Sequence, residues 1–145
     1  MTEHRNRLCV ALDGSDREWI VSTAHELGPH VGWLKLGLEA FTAFGPTLVE
    51  EMAVAGPVFL DLKLHDIPNT VMRAAANCAA TGAAMFNVHA AGGRKMMEAA
   101  RQGARNNRLT TPPLVIAVTV LTSLDTATLA ELGMEADPES LVLRW

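Results

Sequence analysis

Two carboxylates and two lysines fall where two predicted strands end, and we call Lys35, Asp61, Lys63 and Asp66 the charged cluster. Asp61 and Lys63 are two residues apart in an apolar run, so on a β-strand their side chains point to the same face. A lysine held between carboxylates can act as a general acid, and a carboxylate beside an anionic group raises that group's free energy. The alternative for the same residues is an ion-pair network that only fixes the fold.

The residues after the charged cluster favour a catalytic site over a purely structural ion-pair network. Ile67-Pro68-Asn69-Thr70 predicts a rigid turn, followed by a helix with Thr70 as its capping residue. A charge-rich strand end that runs into such a turn is typical of a loop shaped over a pocket.

Alternating apolar strands and amphipathic helices must position these residues. The predicted strands are Leu8–Leu12, Trp33–Leu36, Val58–Leu62, Ala84–Val88 and Leu114–Val120. The segments with apolar residues at spacings of three and four predict helices over Arg17–Leu27, Ala40–Ala55, Thr70–Ala80, Arg94–Asn106 and Asp125–Leu132. Five βα units of this kind predict a parallel sheet covered by helices, which is either an open doubly wound sheet or a (β/α) barrel.

The positions of the polar residues favour the barrel. Each predicted strand ends in polar or charged groups, namely Asp13, Lys35, Asp61 with Lys63, Asn87 with His89, and Thr119 with Thr122 and Ser123. A barrel draws catalytic groups from the carboxyl ends of several strands, whereas an open sheet usually places its chemistry at one switch point. We therefore expect a TIM-type (β/α) barrel, with residues 1–145 forming about five of its eight βα units in one domain.

Composition and charge exclude several classes of partner. The formal net charge is −4 and 19% of the residues are charged, so no broad basic field exists to attract nucleic acid or an anionic membrane. The polar N-terminus does not resemble a signal peptide, and no apolar run approaches the roughly 18 residues of a membrane span. Cys9 and Cys78 lie far apart in apolar runs, which predicts buried, reduced thiols and a cytoplasmic protein.

Two histidines lie near the charged cluster in sequence. We expect His65, between Lys63 and Asp66, to point away from the site and to have a packing or surface role. His89, at the end of the fourth predicted strand, either lines the pocket or makes a structural hydrogen bond.

The segment Asp61-Leu-Lys-Leu-His-Asp-Ile-Pro-Asn-Thr70 resembles the signature of the orotidine 5′-phosphate decarboxylase family. The same family pattern is matched, in order, by Val10-Ala-Leu-Asp13, Leu34-Lys-Leu-Gly37 with Phe44-Gly-Pro46, Asn87-Val-His-Ala90 with Gly92-Gly93, and Val118-Thr-Val-Leu-Thr-Ser123. The resemblance covers essentially the whole chain. It implies conversion of orotidine 5′-phosphate to uridine 5′-phosphate and carbon dioxide, the last step of pyrimidine nucleotide synthesis, with neither metal nor organic cofactor.

The resemblance also implies roles for the residues of the charged cluster. Lys63 would protonate the carbon left behind by the departing carboxylate, and Asp61 would face that carboxylate. Lys35 would contact the sugar and orient the neighbouring carboxylate. Asp66, with Ile67 and Thr70, would reach into the active site of the partner subunit, which implies a homodimer with shared sites.

Three further positions are implied to bind substrate. Asp13 would hydrogen-bond the ribose, and Thr122 with Ser123 would meet the pyrimidine ring.

A complete barrel needs about 250 residues, so we expect three strands to be missing, together with the glutamine and arginine that grip the phosphate in the family. The chain alone would then have little activity.

Two rival interpretations remain. The pattern D-x-K-x-x-D also resembles Mg²⁺-dependent sugar-phosphate decarboxylases and synthases built on the same barrel, although the extension Ile67–Thr70 argues against them. The other rival is non-enzymatic, a half-barrel that serves as a pairing module or is an inactive fragment.

Overall fold

The computed structural model describes residues 2–106 and 111–145 of the chain. Its strands are β1 Cys9–Ala11, β2 Trp33–Gly37, β3 Val58–Leu64, β4 Met85–His89 and β5 Leu114–Val118. Its helices are α1 Thr2–Arg5, α2 Arg17–Leu27, α3 Leu38–Phe44, α4 Pro46–Ala55, α5 Pro68–Ala80, α6 Gly93–Arg105, α7 Thr126–Glu131 and α8 Pro138–Arg144, with 3₁₀ turns at Gly28–His30 and Ala90–Gly92.

The described strands form one parallel sheet in the order β1-β2-β3-β4-β5. Each strand therefore pairs with the next one along the chain. A doubly wound sheet reverses its strand order at a switch point, and this sheet has no such reversal across the described strands. Of the two alternatives that the sequence left open, the structure has the strand order of a barrel.

The two faces of the sheet have different environments. Leu34, Leu36, Leu60 and Phe86 point toward the helices and are fully buried, so the apolar core lies between the sheet and its helical layer. The other face carries Lys35, Asp61 and Asn87, and toward the outer strand β5 it carries the exposed Leu114 and Ile116. Alternation along each strand thus separates the core from the polar groups.

Most predicted helices are confirmed within two residues at each end, but the single helix predicted over Ala40–Ala55 is wrong. The structure has two helices there, α3 and α4, because Gly45 lies between them at φ 70° and Pro46 begins the second. Proline cannot donate the backbone hydrogen bond that would continue the first helix.

Helices α5 and α6 pack closely because α6 carries a glycine at their contact. A Cβ atom on Gly103 would lie 2.0 Å from the carbonyl oxygen of Met72 in α5. Only a residue without a side chain allows the two backbones to approach to this distance.

The two cysteines have different environments. Cys78 is a free, buried thiol, and burial raises its pKa to about 11. Cys9 is also free but exposed, so the prediction of a buried thiol is wrong there, because β1 is an outer strand of the described sheet. None of the helices in the described residues is long and apolar enough to cross a membrane.

Candidate active site

Asp61 is the centre of a group of polar side chains at the carboxyl ends of β2, β3 and β4. Its Oδ1 accepts a hydrogen bond from Lys63 Nζ at 2.6 Å and a second from Asn87 Nδ2 at 2.6 Å. Its Oδ2 lies 3.4 Å from Lys35 Nζ. The structure therefore brings three members of the charged cluster together, as the shared strand face of Asp61 and Lys63 predicted.

The Asp61 carboxylate is held in its ionised form. Burial alone raises the pKa of this group, because only 15% of the side chain is exposed. Hydrogen bonds from Lys63 and Asn87, together with the positive charges of Lys63 and Lys35, outweigh burial and lower the pKa below its usual value. Asp61 is therefore a fixed negative charge at neutral pH.

The backbone of Lys63 departs from regular strand geometry. Its φ is 52°, and it is the one non-glycine residue with positive φ in the described part of the chain. The pairing of β3 with β4 shifts register between Leu60 and Leu64, and the Lys63 N–H donates to the side-chain Oδ1 of Asn87 at 2.7 Å. Such backbone conformations cost about 1–3 kcal/mol and are concentrated at functional sites.

Asp13 lies beside this group and is tied to the backbone. Its Oδ1 accepts a hydrogen bond from the Ala40 N–H at 3.0 Å, so it caps the first turn of α3. Its Oδ2 lies against Gly37, where a Cβ atom would be 1.8 Å away. Since Gly37 is paired with Asp61 in the sheet, Asp13 adjoins the charged cluster.

The segment from Asp66 to Thr70 is exposed on the surface. Asp66 Oδ1 accepts a hydrogen bond from the Ile67 N–H at 2.7 Å, and Ile67 is 67% exposed. Helix α5 begins at Pro68 with Ile67 as its N-cap, and no side chain caps it. The prediction that Thr70 caps the helix is wrong, because Pro68 already fits the first helical position and starts the helix two residues earlier.

Thr122 and Ser123 lie in the turn after β5, which is closed by a hydrogen bond from the Leu124 N–H to the Leu121 carbonyl at 3.0 Å. Both residues are exposed. Across the described residues, no hydrogen bond or ion pair links either of them, or Asp66, to Asp61.

His65 and His89 contact each other, with ring centroids 5.3 Å apart. The prediction that His65 points away is wrong, because His65 lies two residues after Lys63, and residues two apart on a strand lie on the same face. Burial, and then the charges of His65 and Lys63, lower the pKa of His89. Both histidines thus adjoin the charged cluster.

The arrangement can hold a negative charge between two ammonium groups and supply a proton from Lys63. No group of three or more His, Cys, Asp or Glu side chains within the described residues could hold a metal ion. The sequence places Asn87 among the polar residues at the strand ends, but it predicts no role for this residue in the site. A polar residue inside the apolar run Met85–His89 was the signal for it.

Comparison with known proteins decides the family. The model of the Orotidine 5'-phosphate decarboxylase / HUMPS family matches residues 6–144. The chain belongs to this family. It is 51% identical over 139 residues to the orotidine 5'-phosphate decarboxylase of Anaeromyxobacter sp. (strain K), covering 95% of this chain and 59% of that protein. For the enzyme of that name from Nitrosococcus oceani, the identity is 45% over 141 residues, covering 97% and 60%.

Solved structures share the fold of this family member. A protein of Geobacillus kaustophilus, described as an uncharacterized conserved protein, has a TM-score of 0.86 at 39% identity, covering 94% of this chain and 65% of that one. Orotidine 5'-phosphate decarboxylase from Lactobacillus acidophilus has a TM-score of 0.86 at 33% identity, covering 94% and 63%. The family resemblance and the barrel-type fold are confirmed, and the chain spans about three fifths of the length of these relatives.

Proposed function

We propose that this protein decarboxylates orotidine 5′-phosphate to uridine 5′-phosphate in pyrimidine nucleotide synthesis. The observation that carries the proposal is the ionised Asp61 held between Lys63 and Lys35, in a chain about half identical to proteins named for this reaction. No observation favours the Mg²⁺-dependent rival, although the family description carries the name HUMPS beside the decarboxylase.

The charged cluster fits each step of the proposed reaction. The bond between the pyrimidine ring and its carboxylate breaks, carbon dioxide leaves, and the electron pair stays on the ring carbon. Asp61 faces the substrate carboxylate and raises its free energy before the bond breaks. The Lys63 ammonium stabilises the developing negative charge and then donates its proton to the ring carbon. As proposed, this route needs neither metal nor organic cofactor.

The remaining predicted residues bind substrate or partner in this proposal. Asp13 and Lys35 contact the ribose, and Thr122 with Ser123 meets the pyrimidine ring. The exposed Asp66, Ile67 and Thr70 reach into the site of a second subunit of a homodimer. Ile67 is exposed, so its side chain is accessible for such a contact. We place the enzyme in the cytoplasm and treat residues 1–145 as part of one barrel domain.

We further infer that residues 1–145 alone turn over substrate slowly. In the described sheet, β1 and β5 each have one neighbouring strand, and Leu114 and Ile116 on β5 are exposed. An open apolar edge favours aggregation or mispairing over a rigid site. Family members also grip the phosphate with a glutamine and an arginine, and binding energy at a remote phosphate helps to organise the reacting centre.

The test compares two proteins, the 145-residue chain and a chimera that joins it to the remaining length of the Anaeromyxobacter relative. Release of carbon dioxide from orotidine 5′-phosphate is measured for both. We expect turnover by the chimera and much slower turnover by the chain alone. In the chimera, Lys63→Ala should reduce kcat by about 10²–10⁴-fold, because the general acid is lost.

Lys95→Ala is the matched control, since Lys95 is an exposed lysine on α6. An inactive chimera that binds a substrate analogue would contradict the proposed reaction, as would equal, small effects of both lysine substitutions. Loss of turnover on addition of a chelator would favour the Mg²⁺-dependent rival. A native mass that shows a closed assembly of the chain alone, without turnover by the chimera, would favour the pairing module.

A further inference from the structure

Asn87 is buried in the sheet and bonds to two members of the charged cluster at once. It is 2% exposed, and with Thr81 it is one of two buried polar residues in the described ranges. Thr81 donates locally, to the carbonyl of Cys78. Asn87 instead reaches from β4 to β3, where its Oδ1 accepts from the Lys63 N–H at 2.7 Å and its Nδ2 donates to Asp61 Oδ1 at 2.6 Å.

The two bonds determine the orientation of the amide. A backbone N–H needs an acceptor, and a carboxylate needs a donor, so the oxygen must face Lys63 and the nitrogen must face Asp61. A buried amide that loses either partner pays a desolvation cost. One planar group therefore fixes the distance between the Lys63 backbone and the Asp61 carboxylate.

The hydrogen bond between the Lys63 N–H and Asn87 lies where β3 departs from regular strand geometry. The β3–β4 register shifts between Leu60 and Leu64, and Lys63 is in the left-handed region at φ 52°. A left-handed conformation of a non-glycine residue persists only when its surroundings hold it. The side chain of Asn87 supplies a hydrogen-bond partner for the displaced N–H, and Lys63 Nζ in turn reaches Asp61 Oδ1 at 2.6 Å.

We infer that Asn87 is a positioning residue that holds the Lys63 backbone and the Asp61 carboxylate in the one arrangement that serves proton transfer. The inference rests on the proposed function for its catalytic consequence, but its structural consequences can be measured without turnover. Because Asn87 makes no hydrogen bond to Asp13 or Lys35 in the described part of the chain, its loss should lower kcat and leave KM nearly unchanged.

The experiment compares Asn87→Ala and Asn87→Asp in the chimera, with Asn77→Ala on the exposed face of α5 as the matched control. Alanine removes both bonds, so NMR titration should show a raised pKa for Asp61, and hydrogen exchange of the Lys63 amide should accelerate. Aspartate keeps an acceptor for that amide but replaces the donor to Asp61 with a carboxylate. The amide should then stay protected while the coupled carboxylates titrate at higher pH.

Both variants should lower kcat, by about 10²-fold for alanine, because misplacement of a reacting group by about 1 Å has an effect of this size. If Asn87→Ala does not fold, the near-isosteric Asn87→Asp still separates the two bonds. An unchanged Asp61 pKa in Asn87→Asp, or equal amide exchange in all the proteins, would overturn the inference. Changed titration and exchange in an inactive chimera would uphold the positioning geometry and count only against the proposed function.

Discussion

Gly37→Ala tests whether the close contact between Asp13 and β2 organises the site. Gly37 has φ −94°, which alanine adopts without strain, so the substitution acts through the new methyl group alone. That Cβ would lie 1.8 Å from Asp13 Oδ2 and 2.8 Å from its Cγ. The carboxylate must therefore retreat by roughly 1.6 Å to reach an ordinary contact of 3.4 Å.

The retreat breaks the hydrogen bond from the Ala40 N–H to Asp13 Oδ1, which is 3.0 Å long. Loss of a helix N-cap costs about 0.5–2 kcal/mol, and we expect the free energy of unfolding to fall by about 1–2 kcal/mol. Urea unfolding followed by circular dichroism measures this change. Gly56→Ala is the matched control, because a Cβ at Gly56 has only ordinary contacts of 3.6 Å and should cost little.

A double-mutant cycle separates the contact from a general loss of packing. Asp13→Ala removes the cap by itself and should cost about 1 kcal/mol. In the double variant there is no carboxylate to displace, so Gly37→Ala should add little to Asp13→Ala. The coupling energy should then nearly equal the cost of Gly37→Ala alone. Strictly additive costs would refute the reasoning.

Three further predictions concern helix packing and pH. Gly103→Ala places a Cβ atom 2.0 Å from the Met72 carbonyl oxygen and 3.1 Å from Ala75 Cβ, so α6 must move from α5 and stability should fall by about 1–3 kcal/mol in urea unfolding. The lowered pKa of His89 means that the unfolded chain binds a proton more readily, so stability should fall as pH drops through 6.5 toward the folded pKa. His89→Gln should flatten that part of the stability profile between about pH 8 and about pH 5, and an unchanged profile would contradict the assignment. Asp61 affects stability in a separate, more acidic pH range. Its stabilising effect is present above pH 3.8 and is lost as the pH falls through its lowered pKa. Asp61→Asn should remove this loss of stability at acidic pH.

The periodic features of the fold could be predicted from the sequence because burial determines them. Alternation along Val58–Leu64 and helical spacing along Arg17–Leu27 both follow from which side chains face the core. Gly45-Pro46 signals the break inside Ala40–Ala55, but the apolar spacing continues across those two residues and so predicts one helix.

Part of the site could also be predicted from strand geometry. The shared face of Asp61 and Lys63 and the approach of Lys35 need only alternation and a parallel neighbour, and both are confirmed. The left-handed backbone of Lys63 could not be predicted, since lysine has no preference for it. It depends on Asn87, whose position opposite Lys63 is set by the register between strands.

The two lysines differ in geometry more than in residue type, and this difference supports their separate proposed roles. Asp61 Oδ1 already accepts two hydrogen bonds of 2.6 Å, from Lys63 and Asn87, whereas Oδ2 has Lys35 at 3.4 Å. The negative charge on Oδ2 is therefore less compensated, and this oxygen is the one that would repel an approaching carboxylate. On the proposed function, Lys63 is held at the carboxylate as the proton donor, while the looser Lys35 can turn to the sugar. Lys63→Ala should then lower kcat far more than Lys35→Ala weakens substrate affinity, and equal, small effects would contradict this division.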